Sequence, residues 1–266
     1  MTGREIELKL GKSWVIIKSP EHERCSCAVI GCRGWVETGR YFRGLHRRLD
    51  FIGDWVTELG YYWAATDYGT GGYPIKAALR SVRELVSFLR EQMGIERIAL
   101  FGVSMGGQIA LLYAIEHPGD VCCVVDVYGV ADLEEEIKHV LKLLLAAPLL
   151  AGLHGIRGLK AVLKFLSDLR EEFGGNPLLL KLTEDYRRYS PLRRVSSLET
   201  PVLIVHGAKD QVVPLSLSMA LLEEARKLGK DHLIRLHVVP EGGHDDETIL
   251  RALPAIGEFL REHLEK

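Results

Sequence analysis

The stretch that decides the fold is RIALFGVSMGGQIALLYAIEH, residues 97–117. RIALF is a short apolar run rich in residues that suit a buried strand. QIALLYAIEH has helical length and spacing, and His117 before Pro118 suits a helix C-terminus. Between them lies Gly102-Val103-Ser104-Met105-Gly106, followed by Gly107. The string G-x-S-x-G alone is weak, but strand–turn–helix is the setting it requires. The turn must be sharp. Side chains at 102 and 106 would collide with the neighbouring strand and helix, which gives both glycines a steric reason. Such a turn projects the Ser104 hydroxyl at the carboxyl edge of a sheet, where open α/β sheets bind ligands.

Working outward, strand-like and helix-like segments alternate. Residues 5–18 read as a hairpin. CSCAVIG (25–31), YYWAAT (61–66), VCCVVDVYG (121–129), PVLIVHG (201–207) and LIRLHVV (233–239) read as strands. Helices are expected at 44–59, 75–93, 105–116, 215–228 and 246–263. Non-alternating apolar strands separated by helices predict an α/β fold. Its sheet is mostly parallel, with about eight strands and helices on both faces. One block breaks the rhythm: from Asp132 to Ser190 there is no convincing strand, only Leu-rich helical sequence. The expected organisation is a core of 1–131 and 191–266 with a helical cap or lid at 132–190. Hinges are expected near Gly152, Gly155 or Gly174-Gly175.

A serine hydroxyl needs a base to take its proton and an acid to orient that base. With the nucleophile on such a turn, the chain order is Ser, Asp or Glu, His. Asp210 in HGAKDQVVP follows the strand PVLIVHG, and His244 in PEGGHDD follows LIRLHVV. All three residues are therefore expected in loops at one edge of the sheet. Asp126, ending the neighbouring strand, is the second choice for the acid. His206 reads as a satisfied structural residue, and Asp245 and Asp246 as caps of the last helix. A developing oxyanion needs two donors. The first is the backbone N–H of Met105. The second comes from the loop Gly31-Cys32-Arg33-Gly34-Trp35.

These motifs resemble those of the α/β-hydrolase superfamily over nearly the whole chain. RGW (33–35) is similar to that family's HGW or HGF oxyanion segment, with Arg33 in place of His. The resemblance makes the Trp35 N–H the second donor, with the register open by one or two residues. LGYYWAATDYGTGG (59–72) is similar to the family's strand and turn after it. YRRYSPLRRVSSLETPVLIVHGAKDQVVP (186–214), with GGH (242–244), resembles carboxylesterases and the catalytic domain of prolyl-oligopeptidase-type peptidases. The implied activity is that of a serine carboxylesterase acting through an acyl-enzyme on a small-molecule ester. A serine peptidase or amidase is the alternative. About 25 residues precede the first core strand, so the N-terminal propeller of those peptidases is not expected.

Composition sets outer bounds. The 266 residues are 47% hydrophobic and 26% charged, as in an ordinary globular protein. The net charge of −2 carries no basic excess for nucleic acid or an anionic membrane. Residues 140–153 are apolar but short and interrupted by Lys142 and Pro148, so stable membrane insertion is not expected. No secretory signal is read at the start. Cys25, Cys27, Cys32, Cys122 and Cys123 form no C-x-x-C pair and are expected as buried thiols, which suits the cytoplasm. No metal or cofactor is expected. Gly69-Thr70-Gly71-Gly72 reads as a tight turn rather than a phosphate cradle.

Overall fold

The computed structural model describes residues 4–35, 46–146 and 153–266. Eight strands form one sheet: β1 (Glu5–Leu10), β2 (Ser13–Lys18), β3 (Cys27–Cys32), β4 (Tyr62–Thr66), β5 (Arg97–Val103), β6 (Cys123–Val127), β7 (Val202–Gly207) and β8 (Ile234–Val239). Their order is β1-β2-β4-β3-β5-β6-β7-β8. Only β2 runs against its neighbours; every other adjacent pair is parallel.

Helices cover both faces, which is why the central strands carry no polar side. In β3, Ala28, Ile30 and Cys32 face one core and Cys27 and Val29 the other. In β5, Ile98 and Leu100 oppose Ala99 and Phe101 in the same way. The first core is closed by α2 (Ile75–Met93) and α3 (Met105–Glu116), the second by α1 (His46–Glu58) and α8 (Asp246–Leu264). α2 is amphipathic and ends at Gly94, whose φ of 67° supplies the left-handed cap. α3 is buried from Met105 to Ile115, because it packs on β5 and β6 and also under the turn at Pro191–Ser197.

The chain reverses direction across the sheet at β3, which has β4 on one side and β5 on the other. The crevice beyond the carboxyl ends of β3 and β5 is the topological switch point.

The expected core elements are present, with the helix predicted at 44–59 described from His46 to Glu58. Between β6 and β7 lie α4 (Leu133–Ala146), α5 (Leu153–Phe173) and the short α6 (Glu184–Arg188). Of the expected hinges, Gly152 lies outside the described residues and Gly155 falls inside α5. Gly174 and Gly175 end α5 with φ of 74° and 71°. α7 (Leu215–Lys227) precedes β8.

The cysteine reading needs a correction. Cys25 and Cys27 are joined by a disulfide, with Cα atoms 5.2 Å apart. The chain bends at Cys25 and Ser26, with the Cys27 N–H donating to Cys25 O (2.7 Å), and this three-residue turn just before β3 brings the two sulfurs together. A search for C-x-x-C does not find such a pair. Cys32, Cys122 and Cys123 remain free. The pairing removes the argument for a reducing compartment that five thiols would have supplied. Among the described residues no helix is long and apolar enough to cross a membrane.

Candidate active site

Ser104 stands between β5 and α3 with φ 59° and ψ −121°, a strained conformation for a residue with a side chain. The glycines explain how it fits. A Cβ on Gly102 would come within 2.2 Å of the Gly106 carbonyl oxygen, and one on Gly106 within 1.9 Å of that of Cys32. The turn is held by the Ser104 N–H donating to Val127 O (2.9 Å) and the Gly107 N–H donating to Ser104 O (2.9 Å).

Three loops at the carboxyl edge then converge. His244 Nε2 lies 3.0 Å from Ser104 Oγ, and His244 Nδ1 lies 2.7 Å from Asp210 Oδ2. A carboxylate facing Nδ1 selects the tautomer protonated there, leaving Nε2 to accept the serine proton. The His244 ring lies against Tyr128, with centroids 4.3 Å apart, and Tyr128 donates to Asp245 O (3.3 Å). Asp245 caps α8 as expected, accepting from Thr248 N (3.0 Å).

Asp210 is buried, and burial alone would raise its carboxyl. Hydrogen bonds from His206 and His244, and from the Val213 N–H, outweigh this and hold it well below the usual carboxylate range. Its Oδ1 also accepts from Val212 N (2.8 Å) and Val213 N (3.0 Å). His206, read from sequence as structural, is fully buried and touches this carboxylate: its Nε2 lies 3.5 Å from Asp210 Oδ2 and 2.9 Å from Val213 O. A carbonyl only accepts, so Nε2 carries the proton, and Nδ1 meets Ser218 Oγ at 2.8 Å. The strand-end His of HGAKD thus helps hold the acid.

Asp126, the second-choice acid, does not reach His244 among the described contacts. It sits beneath the elbow, where a Cβ on Gly107 or Gly129 would strike its Oδ1. Burial pushes its carboxyl up to about 7.

The oxyanion loop follows β3. Cys32 pairs with Gly102, so Arg33 and Gly34 run beside Val103 and Ser104. A Cβ on Gly34 would lie 3.2 Å from Val103 O and 3.5 Å from Ser104 Cβ. Arg33 occupies the position of the expected His and turns away from the crevice. Its Nη2 donates to Asp67 O (3.0 Å) and Thr70 O (2.7 Å), and its guanidinium lies 4.5 Å from the Tyr68 ring centroid. It therefore ties the loop to the 67–70 turn. That turn is a local backbone device, with the Gly69 N–H donating to Asp67 Oδ1 (2.7 Å). Met105 is the first residue of α3, where helical N–H groups lack intrahelical partners.

The helices between β6 and β7 border this edge. His139 Nε2 on α4 donates to Gln211 O (2.9 Å), next to Asp210. Trp35 Nε1 donates to Asp168 Oδ2 on α5 (2.8 Å). Glu136 on α4 is 3% exposed, and its Oε2 has no hydrogen-bond partner. Burial, and secondarily the charge of Asp210, pushes its carboxyl up to about 8. The folded chain holds this proton at pH values where the unfolded chain has released it, so the group lowers stability as pH rises from the ordinary carboxylate range towards 8. Glu136→Gln is expected to raise Tm at pH 8 by roughly 5 °C, for a gain of about 2 kcal/mol. The gap should nearly close at pH 5. A gap independent of pH in thermal melts would refute the assignment.

Two family models match the chain. One, described as alpha/beta hydrolase fold, matches residues 54–147; the other, the prolyl oligopeptidase family, matches 157–266. The chain has the α/β-hydrolase fold. The "Uncharacterized peptidase YtmA" of Bacillus subtilis (strain 168) is 32% identical to this chain over 137 residues, 51% of this chain and 43% of that protein. The chain thus spans less than half the length of that relative. Among solved structures, the acylaminoacyl peptidase of Pyrococcus horikoshii superposes with a TM-score of 0.69 at 19% identity, over 100% of this chain and 42% of that one. The Pyrococcus furiosus esterase Pf2001 superposes with a TM-score of 0.69 at 17% identity, over 98% of this chain and 91% of that one. At these identities the structural likeness is one of fold.

Proposed function

We propose that this hydrolase is a serine carboxylesterase. The observation that carries the reading is the continuous contact Asp210–His244–Ser104, with the serine on its elbow beside the oxyanion loop. Ser104 Oγ attacks the acyl carbon of a small-molecule ester while His244 Nε2 takes its proton. Asp210 keeps His244 in the required tautomer and stabilises the imidazolium. The N–H groups of Met105 and Trp35 donate to the oxyanion. The intermediate collapses, the carbon–oxygen bond to the alcohol breaks, and His244 hands its proton to the leaving oxygen. Water then attacks the acyl-enzyme with His244 again as base. This sequence needs no metal or cofactor. The inserted helices 132–190 are read as a cap over the crevice.

The prolyl oligopeptidase match over 157–266 favours a second reading, that of a peptidase or amidase with the same triad. Matched p-nitrophenyl esters and p-nitroanilides with common acyl groups separate the two. Hydrolysis of the esters is expected, with kcat/KM for each anilide at least about 10²-fold lower. An anilide or peptide bond cleaved as efficiently as its ester would replace this reading with the second.

A further inference from the structure

The contact between α5 and the oxyanion loop has a specific geometry. Asp168 is 5% exposed on α5. Its Oδ2 accepts the indole N–H of Trp35 at 2.8 Å, and its Oδ1 is paired with Lys164 one turn earlier on the same helix. A buried carboxylate is tolerated when a cation and a donor share it. Here both are present, and the donor belongs to the loop beside Ser104. Phe165, three residues before Asp168 and so on the same helical face, meets the Trp35 ring edge-to-face at 5.7 Å. Phe165 also meets Tyr73 at 5.5 Å. A Cβ on Gly72 would lie 3.4 Å from the Asp168 Cγ, so the 70s turn closes the far side of the carboxylate. Trp35 is thus held twice by α5, at its ring and at its N–H.

On its other side the loop is tied by Arg33. Gly34 contributes no side chain, and Arg33 reaches the peptide that carries the Trp35 N–H only from its carbonyl side, its Nη1 donating to Gly34 O (3.3 Å) while its Nη2 holds Asp67 O and Thr70 O. An oxyanion donor works only if it is aimed before the reaction begins. The main-chain N–H of Trp35 can be held in place through its own side chain.

We propose that Asp168 is a positioning residue for the oxyanion site: by gripping the Trp35 indole it aims the Trp35 main-chain N–H, so that α5, which lies between β6 and β7, completes the catalytic machinery of the core. This rests on the reading that the Trp35 N–H is the second oxyanion donor.

The test is a double-mutant cycle on the full chain with Asp168→Leu, Trp35→Phe and the pair, and Asp168→Asn as the conservative variant. Each is measured for kcat and KM on one p-nitrophenyl ester, and for affinity to phenylboronic acid, whose adduct with Ser104 places an oxygen in the oxyanion site. Labelling of Ser104 by a fluorophosphonate is followed alongside. Asp168→Leu is expected to lower kcat about 10–100-fold, less than the ~10²–10³ for deleting a donor outright, with KM changed by no more than about threefold. Boronate affinity should fall by a similar factor. Trp35→Phe should act alike, and the pair should be no worse than the poorer single variant. Asp168→Asn, whose amide oxygen still accepts the indole N–H, should recover most of kcat.

Independent, multiplying effects overturn the proposal, as does unchanged kcat and boronate affinity in Asp168→Leu with Ser104 labelling intact. If Asp168→Leu does not fold, Trp35→Phe and Asp168→Asn decide: parental kcat in Trp35→Phe ends the idea. Failure of the fluorophosphonate to label Ser104 in the parent chain would instead remove the serine-hydrolase reading, and this proposal with it.

Discussion

Ser104→Ala is expected to abolish fluorophosphonate labelling and to lower kcat by about 10⁴ or more on any good ester. The size follows from the site's construction. His244 Nε2 has the Ser104 hydroxyl at 3.0 Å as its reaction partner, and the alanine leaves the base facing no nucleophile. The members of a triad act as a unit, so the residual rate comes from the oxyanion donors and binding alone. The fold should survive, because the elbow is built by Gly102, Gly106 and backbone hydrogen bonds that alanine retains. Intact-mass spectrometry of the labelled protein and steady-state kinetics read the two effects separately. Near-parental kcat in Ser104→Ala would show that another group carries the reaction.

The second large effect is expected at Asp210. Asp210→Asn should cost about 10³–10⁴ in kcat with the protein still folded. An amide facing His244 Nδ1 can present its NH₂ there, which leaves the proton on Nε2, where it blocks acceptance from Ser104. The same substitution disturbs the Val212 and Val213 N–H donors and the His206 contact. A carboxyl held below its usual range contributes stability at neutral pH that fades as pH falls into the acid range. The variant's thermal deficit should therefore shrink in acid. Asp126→Asn serves as the contrast: a buried carboxyl pushed up to about 7 stands away from His244, and its replacement should leave kcat within about threefold. A reversed ranking in kcat between the two variants would assign the acid to the end of β6.

The contacts among Ser104, Asp210 and His244 were legible in sequence because each residue sits in a short motif just past a recognisable strand. A loop at a strand end goes where the strand goes, so three local readings fixed one place. What the sequence withheld depends on partners distant along the chain. Arg33 reaches forward to the carbonyls of Asp67 and Thr70, and the Trp35 indole reaches Asp168, 133 residues on. No spacing rule connects such positions. Glu136 carried a signal that went unused. In LEEEIKHV it looks like one more acidic residue of a first helical turn, but Leu133, Glu136, Ile137 and Val140 share the helical stripe that faces the core. Its neighbour Glu134 pairs with Lys138 nearer the surface. The disulfide was missed for a narrower reason: it depends on a three-residue turn at Cys25–Cys27 that the apolar run CSCAVIG hides, since the run reads as strand throughout.

Val124 of β6 lies opposite Val202 of β7, although α4, α5 and α6 run between the two strands. An ordinary crossover between parallel neighbours takes a dozen or so residues, and this one takes roughly seventy, about two and a half doublings. Closing a longer flexible loop costs only about 0.6 kcal/mol per doubling, so chain closure alone weakens the sheet by only about 1.5 kcal/mol. The burden falls instead on the time needed to find the partner strand, since contacts far apart in sequence form slowly. Helices that form early within the detour shorten the chain that must be searched. Chain closure therefore sets little limit on the length of the segment; what fixes its helices is the packing of Leu133, Ile137, Phe165, Leu166 and Leu169 into the first core.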